Sequence, residues 1–380
     1  MGAGIRIGQS WAVDARQAVS EFHDSIAQPE TELVMFFCSA QYDLDVLADE
    51  MSRQFDGVQV VGCTTAGEIG PAGCRDASIS GVGFSAGSIC AVTGRLANLQ
   101  QFEFIQAQSL TQDMLQRLEG RRPEANADNS FALLLIDGLS VREEPVTGAL
   151  QDLLGALPMV GGSAGDGARF GQTLVYIDGQ FHADSAVLVL ASTPLPFRTF
   201  KTQHFVPTDD RVVVTAADAA HRIVSEIDGR PAAEAYADLI GVDVQSLVPL
   251  LFASEPMVVM IDGTNYVRSI QAANADGSLT FFSSIEEGLV LRAARGIDLV
   301  KNLEQTFAGI RGGIGELQLV IGFDCILRRL EYSQSELLAG VEQVFRDNHV
   351  VGFNSYGEQF NGVHINQTLT GVAIGADPVA

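Results

Sequence analysis

One phrase occurs twice in this chain. Residues 60–68 read VVGCTTAGE and residues 350–358 read VVGFNSYGE. At the same shift of 290 (350 minus 60), SISGVGFSAG at 78–87 falls without a gap on TLTGVAIGAD at 368–377, so that Gly81, Val82 and Ala86 meet Gly371, Val372 and Ala376. A weaker third copy lies between them: LLLIDG at 133–138 matches VMFFCS at 34–39, and VGGSAGD at 160–166 matches VGCTTAGE with one deletion. A duplicated phrase constrains the fold strongly, because each copy must solve the same packing problem.

Each copy has the same surroundings. An apolar run comes first (LVMFFCS, FALLLID, LQLVIGF), and a segment with helical spacing follows (DLDVLADEMSRQF, REEPVTGALQDLLGAL, SQSELLAGVEQVFRD). Short apolar runs bounded by glycine read as buried strands, and stripes such as Leu44, Leu47, Met51 or Leu337, Val341, Val344 read as helix faces. The unit is therefore strand, helix, strand, strand. The period is too long and irregular for a solenoid. Strand, helix and strand in succession suit a parallel pair, with the fourth element adding antiparallel. Gly67 and Gly357 are expected at equivalent turns, either for backbone freedom or for close approach to a ligand.

The chain reads as α+β: two tandem domains with mixed sheets carrying helices on their faces, built partly from this module. The stretch STPLPFRTFKTQHFVPTDD at 192–210, with three prolines and few aliphatic residues, marks the boundary, giving domains at 1–200 and 201–380. Beyond it, a strand, a turn at DGRP, a helix and a hairpin around Asp276-Gly277 read in order.

A net charge of −24 leaves no basic stripe for phosphates, so nucleic acid is excluded as a partner, as is an anionic membrane surface. No run of about eighteen apolar residues occurs, so no membrane insertion is expected. Five widely spaced cysteines without a Cys-x-x-Cys pair fit reduced thiols and a cytoplasmic location.

No catalytic constellation is legible. GGSAGDG at 161–167 lacks the Lys-Ser/Thr ending of a phosphate loop, and no Gly-x-Ser-x-Gly elbow exists. Glu68 and Glu358 read either as acid/base groups or as acceptors for nearby backbone N–H groups. Two histidines stand out. His204 lies between Phe200 and Phe205 at the inferred junction, where pockets form readily. His364 lies in the last copy, where the first copy has Cys74.

Taken together, VVGCTTAGEIGP, VGGSAGDG, EIDGRPAAEAY and VVGFNSYGEQFNGVHINQT resemble the FIST proteins, sensory modules with an N-terminal and a C-terminal FIST domain. YDLDVLADEM, FKTQHFVPTDD and GEQFNGVHINQTLTG look most like the nitric-oxide-sensing branch called NosP. That resemblance implies non-covalently held haem b, nitric oxide as gas ligand, and a histidine kinase or cyclic-di-GMP enzyme as partner, with no enzymatic activity of its own. It implies His204 as the axial iron ligand, with His364 as the alternative. Arg198 and Lys201 are then candidates for the haem propionates, or else ordinary solvated charges. Other branches bind small ligands such as amino acids without haem, which is the alternative function.

Overall fold

The computed structural model describes residues 4–261, 263–333 and 336–376; Asp377, the last residue of the echo, lies outside them. The fold is α+β, as expected. It holds the repeated module three times.

The first sheet runs, in space, Ile5–Ser10, Ile79–Ser85, Thr31–Ser39, Gln59–Thr65. The second runs Cys90–Ala97, Ser185–Ser192, Ser130–Ile136, Met159–Ser163. The third runs Phe197–Thr202, Leu369–Gly375, Leu317–Cys325, Val350–Ser355. In each, the two strands flanking the module's helix are parallel, and the closing strand is antiparallel to the first.

Each copy also carries a short hairpin before its closing strand, and each hairpin completes the sheet of another copy. Glu68–Gly70 with Gly73–Arg75 extends the third sheet, Val175–Ile177 with Gln180–His182 the first, and Glu358–Phe360 with Val363–Ile365 the second. The exchange is cyclic, so no copy is complete alone.

The echo follows from this pairing. Gly62, Gly161 and Gly352 take equivalent places on the second parallel strand. A Cβ there would lie 2.4, 2.3 and 1.8 Å from the carbonyl oxygens of Phe36, Leu134 and Gly322 on the neighbouring strand. Only glycine permits that approach.

The inner faces of the three sheets share one apolar core. Met35, Phe37, Val61, Leu133, Val187, Phe323 and Phe353 belong to it, and the ring of Phe37 lies 4.9 Å from that of Phe353. Helices cover the outer faces. Ala15–Ile26 and Leu44–Gln54 seal the first, Phe104–Arg121 and Glu143–Leu154 the second, Leu299–Ile314 and Leu337–Asp347 the third. Among the described residues no helix is long and apolar enough to cross a membrane.

The copies differ in one large respect. Strand Phe197–Thr202 and helix Leu299–Ile314 belong to the third copy, yet between them lies a separate lobe, residues 205–296. It is an eight-stranded sheet with its own core of Val214, Val224, Tyr236, Phe252, Phe281 and Leu291. The chain enters and leaves it side by side, since Phe205 pairs with Gly296. The turn at 228–229, the helix Ala232–Ile240 and the hairpin at Gly277 lie where their residue types predict.

The middle copy's match needed correcting. VGGSAGD suggests Asp166 as the counterpart of Glu68. In the ladders Glu68 faces Phe353, Glu358 faces Gly162 and Val175 faces Cys63, so Val175 holds that place. Asp166 sits on a loop, 164–174, that the other two copies lack; its carboxylate accepts from Phe170, Gly171 and Gln172 N–H.

Candidate functional site

The two glutamates of the echo are anchors. Glu68 accepts from Thr65 Oγ1 at 2.5 Å, Ser78 N at 3.0 Å and Ser78 Oγ at 2.8 Å. Glu358 accepts from Ser355 Oγ at 2.5 Å, Thr368 N at 3.1 Å and Thr368 Oγ at 2.7 Å. These are the same positions shifted by 290. Burial pushes Glu68 up to about 7 and Glu358 up to about 8 against those hydrogen bonds. The acceptor reading of both residues therefore describes their contacts.

His204 stands at the neck of the lobe, where its carbonyl accepts from Ile297 N at 2.7 Å. Its ring is fully buried and both nitrogens have protein partners: Glu331 Oε1 at 2.9 Å from Nε2, and Arg328 Nη1 at 3.1 Å from Nδ1. Arg328 is itself fully buried and binds Asp324 at 2.6 Å, which also takes Tyr332 and Asn354. Burial lowers the His204 pKa. Arg328 donates to Nδ1, so Nε2 carries the proton and donates to Glu331.

Arg198 and Lys201 do not come together. They are three residues apart on strand Phe197–Thr202, so they face opposite sides of the sheet. Arg198 lies on the side of helix Leu299–Ile314, its Nη1 3.4 Å from where a Cβ of Gly313 would be. Lys201 Nζ lies over the Tyr266 ring at 4.1 Å, and burial lowers its pKa. A haem needs an open imidazole nitrogen and a slot beside it. His204 offers neither, and Arg198 and Lys201 cannot serve one pair of propionates. The His364 ring has the Phe282 backbone as a hydrogen-bond partner and closes against Gly357, its Nε2 2.8 Å from the place of a Gly357 Cβ. These residues do not fit haem in this arrangement.

His364 instead belongs to a buried polar cluster between lobe and body. It lies on the outward face of hairpin 358–365, paired across the strands with Gln359, whose Nε2 is 3.2 Å from His364 Nδ1. The start of helix Glu143–Leu154 stands beside it. From the lobe, Arg222 Nη2 reaches Glu143 at 2.7 Å and Glu144 at 2.5 Å, Ser284 N reaches Glu144 at 2.8 Å, and Ser283 Oγ donates to Asn366 Oδ1. Gln367 Nε2 meets the carbonyl of Phe252 at 3.2 Å, and Phe170 of the long loop packs on Phe282 at 6.1 Å.

Burial dominates the electrostatics here. It drives His364 down to about 4, with Arg222 and Arg268 adding to the effect and Glu144 opposing it, so the ring is neutral at pH 7. Burial pushes Glu143 up despite Arg222. For Glu144 burial again acts upward, but His364, Arg222 and the Ser284 N–H outweigh it and hold the carboxyl low.

Several buried atoms in this cluster lack a partner among the described residues: Arg222 Nε, Ser269 Oγ, Asn366 Nδ2, and the Oε1 atoms of Gln359 and Gln367. Arg268, 8% exposed, makes no ion pair among the described residues, but Glu144 acts on it as a counter-charge, and its guanidinium donates to the Val267 carbonyl at 3.3 Å. Buried polar groups are normally satisfied by protein or by ordered water, so these atoms are open to partners from outside the chain. Sequence reading found His364 and missed Arg222, Arg268, Ser269, Ser283 and Asn366. The lobe residues come from three separated stretches that only the folded sheet brings to one edge.

The chain matches the FIST N domain over residues 32–230 and the FIST C domain over 232–361, and so belongs to the FIST family, whose domains are sensory domains of signalling proteins. The two matches meet inside the lobe, at Pro231. Nothing in them points to the haem-binding branch. A comparison with curated proteins finds no match. One solved structure that is similar in part, a cyanuric acid hydrolase, is 9% identical over 53% of this chain and 72% of its own, with a TM-score of 0.31, too low to bear on function.

Proposed function

We propose that the protein is a sensor that holds a small ligand, such as an amino acid, between the lobe and the three-sheet body. The carrying observation is the cluster of unpartnered buried atoms at that interface. The lobe is joined to the body at the neck by one pair of adjacent strands, and again through Arg222, Ser283 and Ser284. A ligand that satisfies the cluster would tighten this second attachment, and a partner that prefers one packing would read the change. A histidine kinase or cyclic-di-GMP enzyme is the proposed receiver, and no catalytic step is required of this chain.

Hydrogen exchange tests the reading with the twenty amino acids as probes. Slower exchange is expected at 219–223, 267–270, 281–284 and 363–368. A compound that raises the unfolding temperature while leaving these segments unchanged would place the ligand elsewhere. The nitric-oxide reading has its own readout: a Soret band on haemin addition, moved by nitric oxide and lost in His204→Ala or His364→Ala, would restore it.

A further inference from the structure

The outer side of the lobe sheet changes character along its strands. Val212, Val214, Val259 and Leu291 point into the lobe core, so the residues alternating with them point out. Strand pairing sets these outward residues in rows. Val213 stands opposite Val290, and the pairing of Val258 with Arg292 places Met260 beside Val290 on the next strand. One row nearer the neck come Arg211, Arg292 and Val258. From there the face is closed, with Val258, Val267 and Ala294 buried together with Phe205. The half beyond is bare: Val213 is 38%, Val290 47% and Met260 53% exposed. An open groove of about 1000 Å³ lies over it, bounded by Met260, Ile261, Val290 and the two arginines.

The charges of this groove run against those of the chain. Arg211 and Arg292 are directly opposed on one sheet face, where like charges repel. Arg292 is anchored, its Nε donating to the Thr208 carbonyl at 2.9 Å and its Nη2 lying 3.5 Å from Asp209. Asp209 is fully exposed, so that contact offsets little of the charge. Arg211 is exposed and makes no ion pair among the described residues. Glu287, also at the groove, accepts from Ala217 N at 3.3 Å. A chain of net charge −24 thus carries an opposed arginine pair beside bare apolar surface. Arginine and methionine are enriched at the centre of protein interfaces, where acidic residues and lysine are depleted.

Spacing states what would lie there. Three neighbouring strands span about 10 Å, and an apolar stripe at i, i+4 and i+7 of a helix spans about 10.5 Å. Opposed residues on paired strands have Cβ atoms about 5 Å apart, close to the separation of residues four apart on a helix. We infer that the bare half of the lobe's outer face is the docking surface for an amphipathic helix of a partner protein. Its apolar stripe rests on Val213, Val290 and Met260, and a pair of carboxylates four residues apart meets Arg211 and Arg292. The face belongs to the lobe, so a helix held there follows any shift of the lobe against the body. This rests on the reading that the signal passes by contact with a partner, and not on the ligand or its place. A second copy of this chain is disfavoured, since two copies of net charge −24 repel and would set arginine against arginine.

Two synthetic peptides of about twenty residues, long enough to hold a helix, are the probes. Both carry leucines at i, i+4 and i+7. One has glutamates four apart beside that stripe, and the other has lysines at the same places. Their binding to the full chain is read by fluorescence anisotropy. The acidic peptide is expected to bind at least tenfold more tightly, the reverse of what net charge alone dictates. Arg211→Glu should weaken the acidic peptide at least tenfold and strengthen the basic one. Met260→Ser should weaken both and leave the unfolding temperature unchanged, because the side chain is exposed. Preference for the basic peptide, equal binding, no binding, or unchanged affinities in both variants would each overturn the assignment. So would a dimer in sedimentation that Met260→Ser dissociates, which would give the face to a second copy. Hydrogen-exchange protection by a small ligand at 219–223, 267–270, 281–284 and 363–368 without acidic-peptide binding would leave the sensor reading standing and remove only this docking face.

Discussion

Hairpins 68–75 and 358–365 are the same object built twice. They share a shift of 290, the same ladder places and the same buried glutamate with its three donors. They differ in the outward-facing pair. The first has Ile69 opposite Cys74, both inside the apolar cluster with Val341, Val344 and Phe345. The second has Gln359 opposite His364, facing Glu144 and the arginines of the lobe. The hairpin at 175–182 also has an apolar pair there, Tyr176 and Phe181, under helix Leu44–Gln54. Two hairpins close a core; one keeps polar atoms at a lobe interface. Equal backbones with unequal burial chemistry separate what holds the fold from what the fold is used for.

Exchanging these pairs is the most severe way to break the comparison. Ile69→Gln with Cys74→His would bury two polar side chains in an apolar cluster, an expected loss of about 2–6 kcal/mol at one to three per side chain, read by urea unfolding. A loss below about 1 kcal/mol would mean that the two environments are not distinct.

Glu68→Leu and Glu358→Leu sharpen the shared part. Each strands one backbone N–H and two hydroxyls, at an expected cost of about 3 kcal/mol or more per variant, at one or more per stranded group. If the hairpins are equivalent, the two losses agree; a twofold difference would show that they are not.

A smaller effect is pH dependence. Both glutamates have folded pKa values, about 7 and about 8, above an unfolded value near 4.5. The folded state therefore binds protons more tightly, and stability is fullest below pH 4.5 and falls as pH rises through 7 and 8. Glu68→Gln and Glu358→Gln should each flatten this slope by about 1–2 kcal/mol between pH 5 and 8, taking pKa shifts at 1.36 kcal/mol per unit and discounting them. An unchanged slope in both variants would remove burial as the cause.

The smallest effect belongs to the reverse exchange. Gln359→Ile with His364→Cys should leave ligand-free stability within about 1 kcal/mol, because removing both partners of a buried polar pair is nearly neutral. It should also erase binding of any ligand held at the lobe–body interface. Retained binding would separate the hairpin from the site.

Much of this architecture was legible beforehand. The two echoes predict superposed strands, and the middle copy, though found at low similarity, is the second sheet. Gly67 has the positive φ expected of it, 141°, whereas Gly357 does not and is glycine for space, since a Cβ would meet His364 Cε1 at 2.3 Å. The boundary stretch 192–210 coincides with the neck of the lobe, yet strand Phe197–Thr202 within it pairs with Leu369–Gly375 of the body. His204 was sensed as a junction residue; its partners Arg328 and Glu331 lie more than a hundred positions away and left no local signal.

The sequence by itself determined the module: apolar runs of strand length, helix stripes at 3.6 spacing, and glycines where chains touch, all of them local consequences of periodicity and size. Only the tertiary structure decided which sheet each hairpin completes, that residues 205–296 form a lobe between two elements of the last copy, and that Arg222, Arg268, His364 and Asn366 converge. Strand pairing between distant segments is settled by which faces bury the most apolar surface together, and a strand's own residues state which side is apolar without naming the neighbour.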